Sequence, residues 1–130
     1  MVHGFGLRSA ARTVWENRAP YDGFVIAHGT DTLSYTAALL HHVLREIDKP
    51  VILTGSMLPM GAPGSDAPRN LLDACRTAVS GRAGVFAVLH GKVIEGCRVI
   101  KRHSSEMDAF LSAGTPPAAA INPDGTLTWQ

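Results

Sequence analysis

The sequence is poor in cysteine, in aromatic side chains and in excess charge of either sign. Its 130 residues include two cysteines, 6% aromatic residues and a formal net charge of +1 at pH 7. Cys75 and Cys97 form no Cys-x-x-Cys pair, so no zinc or thiol redox motif is indicated, and we expect both to be reduced and packed. The basic residues are scattered, which leaves no electrostatic footprint for nucleic acid or an anionic membrane as partner.

Long hydrophobic runs and targeting signals are also missing. No apolar run approaches the roughly 20 residues that span a bilayer. Residues 1–6 contain neither a basic region followed by an apolar run nor a small-residue cleavage site, so we expect a cytoplasmic protein. With 45% hydrophobic residues, the length fits one ordinary globular domain, and we predict that residues 1–130 form it.

What the sequence does contain is an alternation of helical and apolar strand segments. The predicted helices cover residues 5–18, 31–47 and 67–80. The predicted strands cover residues 24–28, 51–53 and 85–90. These strands are apolar on both faces, as buried parallel strands are. The pattern predicts a three-layer α/β fold with a mostly parallel sheet and flanking helices.

Shorter extended segments follow the third strand. Residues 92–94 and 98–100 are predicted to pair as a hairpin around Glu95 and Gly96. Residues 118–121 and 126–129 have the composition of two further strands around a turn.

Two of the predicted helices carry apolar stripes that we expect to face the sheet. In the second helix the stripe comprises Leu33, Ala37, Leu40, Leu44 and Ile47. In the third helix it comprises Leu71, Leu72, Cys75 and Val79. Ser65 and Asp66 precede this third helix and are predicted to cap its N-terminus.

The junction between the first strand and the second helix is the best candidate for a catalytic or ligand-binding site. The apolar strand breaks at Gly29, so Thr30, Asp31 and Thr32 fall where a strand ends and a helix begins. In open parallel sheets, ligands bind beyond the carboxyl ends of the strands, near exposed helix N-terminal N–H groups. The long loop 55–68, rich in Gly and Pro, follows the next strand and adds a second segment there.

Simpler interpretations of the same residues stay open at this point. Thr30 and Asp31 are residue types preferred as helix N-caps, and capping alone accounts for their position. His28 and His90 end two predicted strands, yet no third ligand or His-Glu-x-x-His pattern accompanies them. We therefore predict no metal site.

Four segments in order resemble the N-terminal domain of the bacterial-type L-asparaginases. They are His28-Gly29-Thr30-Asp31-Thr32 with Tyr35 to Ala37, then Pro50 to Met57, then Ser65-Asp66 with Asn70 to Ala74, and last Lys101 ahead of His103. The similarity extends from about residue 21 to the C-terminus. One component of the archaeal tRNA-dependent amidotransferase shares this domain, so the motifs indicate a superfamily more securely than a substrate.

The resemblance implies a Rossmann-like or flavodoxin-like fold and the hydrolysis of L-asparagine to L-aspartate and ammonia. It implies threonine chemistry by a triad of Thr30, Asp31 and Lys101, without metal or cofactor. Thr30 and Asp31 would also bind the substrate, Asp31 through its α-ammonium group, while backbone groups near Gly55 and Ser56 would receive the side-chain amide. The expected substrate is a small molecule, L-asparagine or L-glutamine.

The sequence also departs from the family pattern. The Thr-Gly-Gly-Thr-Ile type motif, which carries the family's other catalytic threonine, is not found in these 130 residues, and neither is the C-terminal domain. The predicted domain thus resembles an asparaginase N-terminal domain without its first strand, and we expect little or no activity from the chain alone. An uncovered sheet edge favours self-association, so we expect a homo-oligomer.

Three functions are compatible with these residues and motifs. The first is an L-asparaginase-type amidohydrolase. The second is a non-catalytic amino-acid-binding or assembly remnant of such an enzyme, and the third is an asparaginase-like amidotransferase subunit. The balanced charge of the chain gives the third no support from RNA contact.

Overall fold

A six-stranded sheet with helices on both faces forms the body of the molecule, as seen in a computed structural model that describes residues 6–130. In chain order the elements within that range are α1 (Leu7–Glu16), β1 (Phe24–Ala27), α2 (Leu33–Val43), β2 (Pro50–Thr54), α3 (Ala67–Ala78), β3 (Gly84–Leu89), β4 (Lys92–Glu95), a 3-10 helix (Gly96–Arg98), β5 (Val99–Lys101), β6 (Phe110–Ser112), β7 (Ala119–Ile121) and β8 (Leu127–Trp129). The predicted α/β class is confirmed. Within residues 6–130 no helix is both long and apolar enough to cross a membrane.

The sheet is mixed, with a parallel half and an antiparallel half. Its strand order is β1-β2-β3-β4-β7-β8, while β5 and β6 pair in a separate two-stranded sheet. β1, β2 and β3 are parallel, and they are joined by crossovers through α2 and α3. From β4 onward every pairing in the main sheet is antiparallel. The carboxyl ends of β1 and β2 therefore meet at one edge of the sheet.

Two hydrophobic cores, one on each face of the sheet, give the three layers. α1 and α2 pack on one face together with buried side chains from β5 and β6. α3 packs on the other face, where side chains of the sheet strands β7 and β8 join the same core. The predicted stripe of α2 is buried in full: Leu33, Ala37 and Leu40 are 0% exposed, Leu44 is 3% exposed and Ile47 is 7% exposed.

The hairpin predicted around Glu95 and Gly96 is wrong. The chain turns back earlier, at His90 and Gly91, which both have positive φ. β4 then pairs with β3. Gly96 starts a 3-10 helix, and β5 then pairs with β6, a strand that the sequence pattern does not predict. The physical reason is a close approach, because a Cβ on Gly96 would lie 2.9 Å from the Ala37 carbonyl oxygen. The chain here passes against α2 instead of folding back on itself.

The buried face predicted for α3 is also wrong. Leu71 is 40% exposed, Leu72 is 49% exposed and Val79 is 74% exposed. Cys75 and Cys97, which we expected to be packed, are both exposed free thiols. The face that α3 buries carries Ala67, Asn70, Asp73, Ala74, Thr77 and Ala78 instead. Small side chains let this helix lie close to the sheet, since a Cβ on Gly23 would come within 2.0 Å of the Ala78 carbonyl oxygen.

Hydrogen bonds explain how α3 buries polar side chains at low cost. The Asp73 carboxylate, 0% exposed, pairs with Arg69 at 2.8 Å and with Arg76 at 3.1 Å. The Thr77 hydroxyl donates to the Asp73 carbonyl oxygen at 2.8 Å. An apolar stripe in the sequence is therefore no guide to the buried face of this helix.

Neighbouring leucines on α2 provide a test of this packing. Replacing Leu40 with Ala removes a fully buried side chain and is expected to lower the free energy of unfolding by about 2–5 kcal/mol. Leu39→Ala, at a side chain that is 50% exposed, is expected to change it by only about 0.5 kcal/mol. Chemical denaturation followed by circular dichroism measures both, and equal losses would contradict the described orientation of α2.

Candidate active site

Thr30, Asp31 and Lys101 come together at one end of the molecule. Lys101 Nζ donates hydrogen bonds to Thr30 Oγ1 at 3.0 Å and to Asp31 Oδ1 at 2.7 Å. Thr30 and Asp31 lie in the turn between β1 and α2, whereas Lys101 is the last residue of β5. The sequence separates the lysine from the other two by 70 residues or more. The fold thus joins the three residues that the sequence motifs indicate.

The capping interpretation of Thr30 and Asp31 does not describe this turn. α2 begins at Leu33 with Thr32 in the N-cap position, and no side chain makes a capping hydrogen bond there. The side chains of Thr30 and Asp31 instead contact the lysine. Thr30 and Asp31 therefore make a contact with a distant part of the chain and do not cap α2.

The Lys101 and Asp31 side chains differ sharply in exposure. The Lys101 side chain is 13% exposed and the Asp31 side chain is 93% exposed. The hydrogen bond from Lys101, and then its positive charge, hold the pKa of the Asp31 carboxyl below its usual value. Asp31 therefore remains an anion facing solvent, free to hold a positively charged group of a ligand.

The contact between Lys101 and Thr30 suits proton transfer. A separation of 3.0 Å between Nζ and Oγ1 lies within the range of about 2.6–3.2 Å over which a base takes a proton from a hydroxyl. A threonine hydroxyl is a weak nucleophile until a neighbouring base removes its proton. The arrangement therefore has the parts needed to activate Thr30.

Gly55 and Ser56 lie beside this turn because β1 and β2 run in register. Ala27 pairs with Thr54, so the two chains leave the sheet side by side. A Cβ on Gly55 would lie 2.4 Å from the His28 carbonyl oxygen and 3.4 Å from the Thr30 methyl group, so only glycine fits. Gly55 and Ser56 line a cleft of about 430 Å³ at the carboxyl ends of these strands. The Ser56 hydroxyl donates to the Leu58 carbonyl oxygen at 2.6 Å.

Asp66 and Asn70 hold the loop beside the cleft, a role that their sequence context does not indicate. Asp66 makes no capping hydrogen bond to α3, contrary to prediction; its carboxylate accepts from the Met57 amide at 2.8 Å and the Leu58 amide at 3.0 Å. The Asn70 side chain, 3% exposed, donates to the Gly55 carbonyl oxygen at 2.9 Å and accepts from the His90 amide at 3.0 Å. A buried asparagine thus ties β2, β3 and the loop together.

His28 fixes the turn that carries Thr30. Its Nδ1 lies 2.6 Å from the Gly29 carbonyl oxygen, and its Nε2 lies 3.0 Å from Thr36 Oγ1 on α2. A carbonyl oxygen can only accept, so Nδ1 donates to it. The ring therefore links the end of β1 to the first turns of α2.

Comparison with known proteins shows the family of this chain. Residues 6–130 match the family model described as Asparaginase, N-terminal. The chain belongs to the asparaginase family. It is 46% identical over 116 residues to the L-asparaginase of Thermococcus kodakarensis, covering 89% of this chain. It is 45% identical over 115 residues to a glutamyl-tRNA(Gln) amidotransferase subunit of the same organism, covering 83% of this chain.

The fold of this asparaginase-family chain is also similar to a solved structure. The probable cytoplasmic L-asparaginase from Campylobacter jejuni superposes with a TM-score of 0.86 at 35% identity, over 95% of this chain and 39% of the other. The chain spans 35% of the length of the Thermococcus asparaginase and 26% of the amidotransferase subunit. The family match therefore covers all the described residues of this chain, but these residues correspond to a minor part of each relative.

The pairing of Asp31 with Lys101 predicts a pH effect. In Lys101→Met the Asp31 carboxyl loses both its hydrogen bond and the neighbouring charge, so its pKa rises toward the usual value. Because the wild-type pKa is depressed, the stability from this pair is present above the unfolded-state pKa of Asp31 and is lost as the pH falls through the folded-state pKa. The stability difference between wild type and variant therefore narrows in acid.

Carbon-13 NMR titration of the Asp31 carboxyl measures this shift directly. Lys49→Met is the matched control, since Lys49 immediately precedes β2 and lies at the opposite end of that strand from Gly55. It is expected to leave the Asp31 midpoint unchanged. The same midpoint in wild type and in Lys101→Met would contradict the ion pair.

The buried asparagine predicts a stability effect at the cleft. Asn70→Ala leaves the Gly55 carbonyl and the His90 amide without their partner and is expected to cost about 1–3 kcal/mol of the free energy of unfolding. Leu72→Ala, on the exposed side of the same helix, is expected to cost at most about 0.5 kcal/mol. Urea denaturation of the two variants provides the comparison, and an Asn70→Ala variant as stable as wild type would rule out the role given to this side chain.

Proposed function

We propose that this chain carries an amidohydrolase site of the L-asparaginase type, with Thr30, Asp31 and Lys101 as its catalytic residues. The observation that supports the proposal is the position of Lys101 Nζ, within 3.0 Å of Thr30 Oγ1 and 2.7 Å of Asp31 Oδ1. A hydroxyl, an amine and a carboxylate in that order are the parts of a threonine hydrolase. The proposed reaction converts an amino-acid amide and water into the acid and ammonia.

Each group has a defined part in the proposed reaction. After Lys101 releases a proton to solvent, its amine takes the Thr30 proton as the Thr30 oxygen bonds to the amide carbon. That proton then leaves with the departing ammonia, and water cleaves the resulting ester to release the acid and regenerate the hydroxyl. Asp31 orients the amine and, being 93% exposed, holds the substrate's α-ammonium group. Backbone N–H groups of the turn around Thr30 stabilise the oxyanion, and those near Gly55 and Ser56 receive the side-chain amide.

The proposed substrate is L-asparagine, with L-glutamine as the second choice, and no metal or cofactor takes part. Similarity to an L-asparaginase at 46% identity supports asparagine. Similarity to an amidotransferase subunit at 45% identity favours, as the second candidate, an amidase that works with other subunits on charged tRNA. The third candidate is a module that binds the amino acid without hydrolysing it.

The proposed setting is a cytoplasmic homo-oligomer. Resemblance to a probable cytoplasmic asparaginase supports the compartment. Within residues 6–130, β1 is an edge strand of the main sheet, paired with β2 on one side. An edge strand presents N–H and C=O groups that a second polypeptide can pair with.

Ammonia release from L-asparagine by the purified chain tests the catalytic proposal. Lys101→Met is expected to lower the rate by about 10²–10⁴-fold, the usual contribution of a positioned base. Thr30→Ala, which removes the nucleophile itself, is expected to abolish ammonia release. Thr30→Ser, which keeps the hydroxyl, and Lys49→Met, which removes a lysine elsewhere, are expected to keep most of the rate. Release no faster than in buffer at high protein concentration would exclude catalysis by this chain alone.

Calorimetric titration with L-aspartate separates an enzyme from a binding module. Binding that disappears in Asp31→Ala, with no turnover of asparagine by wild type, would favour the module. Asp22→Ala is the matched control, because Asp22 precedes β1 and so lies at the other end of that strand from Asp31. The absence of both binding and turnover would overturn the proposed site.

A further inference from the structure

Three metal-ligating side chains meet on the α2 side of the sheet, outside the cluster around Lys101. They are His41 on α2, Glu95 at the end of β4 and Cys97 in the 3-10 helix. One ligand atom from each lies within 4.8 Å of the other two. His41 and Glu95 are half-buried and Cys97 is exposed, so the cluster is open to an ion from solvent.

A close backbone contact brings the three side chains together. Gly96 separates Glu95 from Cys97, and a Cβ there would lie 2.9 Å from the Ala37 carbonyl oxygen and 3.0 Å from the Val85 carbonyl oxygen. Ala37 precedes His41 by one helical turn, so both residues lie on the same face of α2. The absence of a side chain at Gly96 therefore lets its two neighbours approach His41.

The donor set is one that a zinc-like ion prefers. An imidazole nitrogen, a thiolate sulfur and a carboxylate oxygen provide three ligands, and a water completes four-coordination. Ligand atoms of tetrahedral zinc, with bonds of about 2.0–2.3 Å, lie about 3.3–3.8 Å apart. Side chains now within 4.8 Å of one another reach those distances by moving about 1 Å. A neutral imidazole with two anions also balances a double positive charge.

Arg98 is the nearby cation that the site has to accommodate. Its Nε lies 3.5 Å from Glu95 Oε2, longer than a strong ion pair, and its Nη1 donates to the Ala113 carbonyl oxygen at 3.0 Å. The guanidinium is thus held partly by the backbone and does not form a close ion pair with the Glu95 carboxylate.

We propose that His41, Glu95 and Cys97 bind a divalent zinc-like ion that ties α2 to the segment leading into β5. The Cys97 thiol releases its proton to solvent as the ion binds. α2 follows Asp31 in the chain, and the 3-10 helix precedes the strand that ends at Lys101. The bound ion would therefore fix the two parts of the chain that carry the proposed catalytic residues. This site stands independently of the proposed amidohydrolase activity.

Cobalt titration of the untagged full chain tests the site through its thiolate. Wild type is expected to show a thiolate-to-cobalt charge-transfer band in the near ultraviolet that zinc abolishes by displacement. Cys97→Ser is expected to lose the band. Cys75→Ser, which removes the other exposed thiol on α3, is expected to keep it. A missing band in wild type, or a band that persists in Cys97→Ser, would overturn the proposal.

Neighbouring histidines on α2 supply a second comparison. His41→Asn is expected to weaken cobalt binding by about tenfold or more, because loss of even an outer-shell partner has an effect of that size. His42→Asn, at the exposed next position, is expected to leave the affinity unchanged. Circular dichroism identifies any variant that is not folded, and Glu95→Gln then replaces His41→Asn in the test. If His41→Asn, or Glu95→Gln in its place, binds cobalt as tightly as His42→Asn does, the assigned ligand set is excluded.

Discussion

The contact of α2 with the chain around Gly96 is the constraint on which the functional part of the molecule depends. α2 buries Leu33, Ala37 and Leu40 completely against the sheet, which fixes the helix in position and rotation. Gly96 then lets the chain leaving β4 pass within backbone contact of Ala37. Both the Lys101 cluster and the His41 cluster join α2, or the turn before it, to this same segment. A side chain at Gly96 would push this segment away from α2 and so disrupt both clusters.

A buried amine beside an exposed carboxylate defines the character of the site. The Lys101 side chain is 13% exposed, whereas the Asp31 side chain is 93% exposed. The hydrogen bond and the charge of the lysine lower the pKa of the Asp31 carboxyl. Thr30 shares the same amine through a hydrogen bond of 3.0 Å. The threonine and the carboxylate therefore share one amine, and the chemistry of the threonine depends on all three residues together.

Membership of the asparaginase family rests on a match that covers this chain and a minor part of its relatives. The match extends over residues 6–130, yet the chain spans 35% of the Thermococcus asparaginase that it resembles. The turn around Thr30, the Gly55 close approach and the Lys101 contact all lie within this part. β1, where the parallel half of the sheet ends, has one partner strand among the described residues. That strand is where the proposed oligomer, or a further polypeptide, has backbone groups to pair with.

Local patterns in the sequence were enough to predict the α/β class, the strands β1 to β3 and the buried stripe of α2, because periodicity acts over a few residues. The junction after β1 indicated Thr30 and Asp31, whereas Lys101 was predicted only from the resemblance to the asparaginase family. Tertiary structure alone decided which face of α3 is buried, because Asp73 gains two arginine partners and small residues allow close packing. It also decided that the chain at Gly96 meets α2 instead of forming a hairpin, and that Lys101 Nζ reaches Thr30 and Asp31. Contacts between residues far apart in the chain depend on the exact separation of packed backbones, and no local pattern in the sequence encodes that distance.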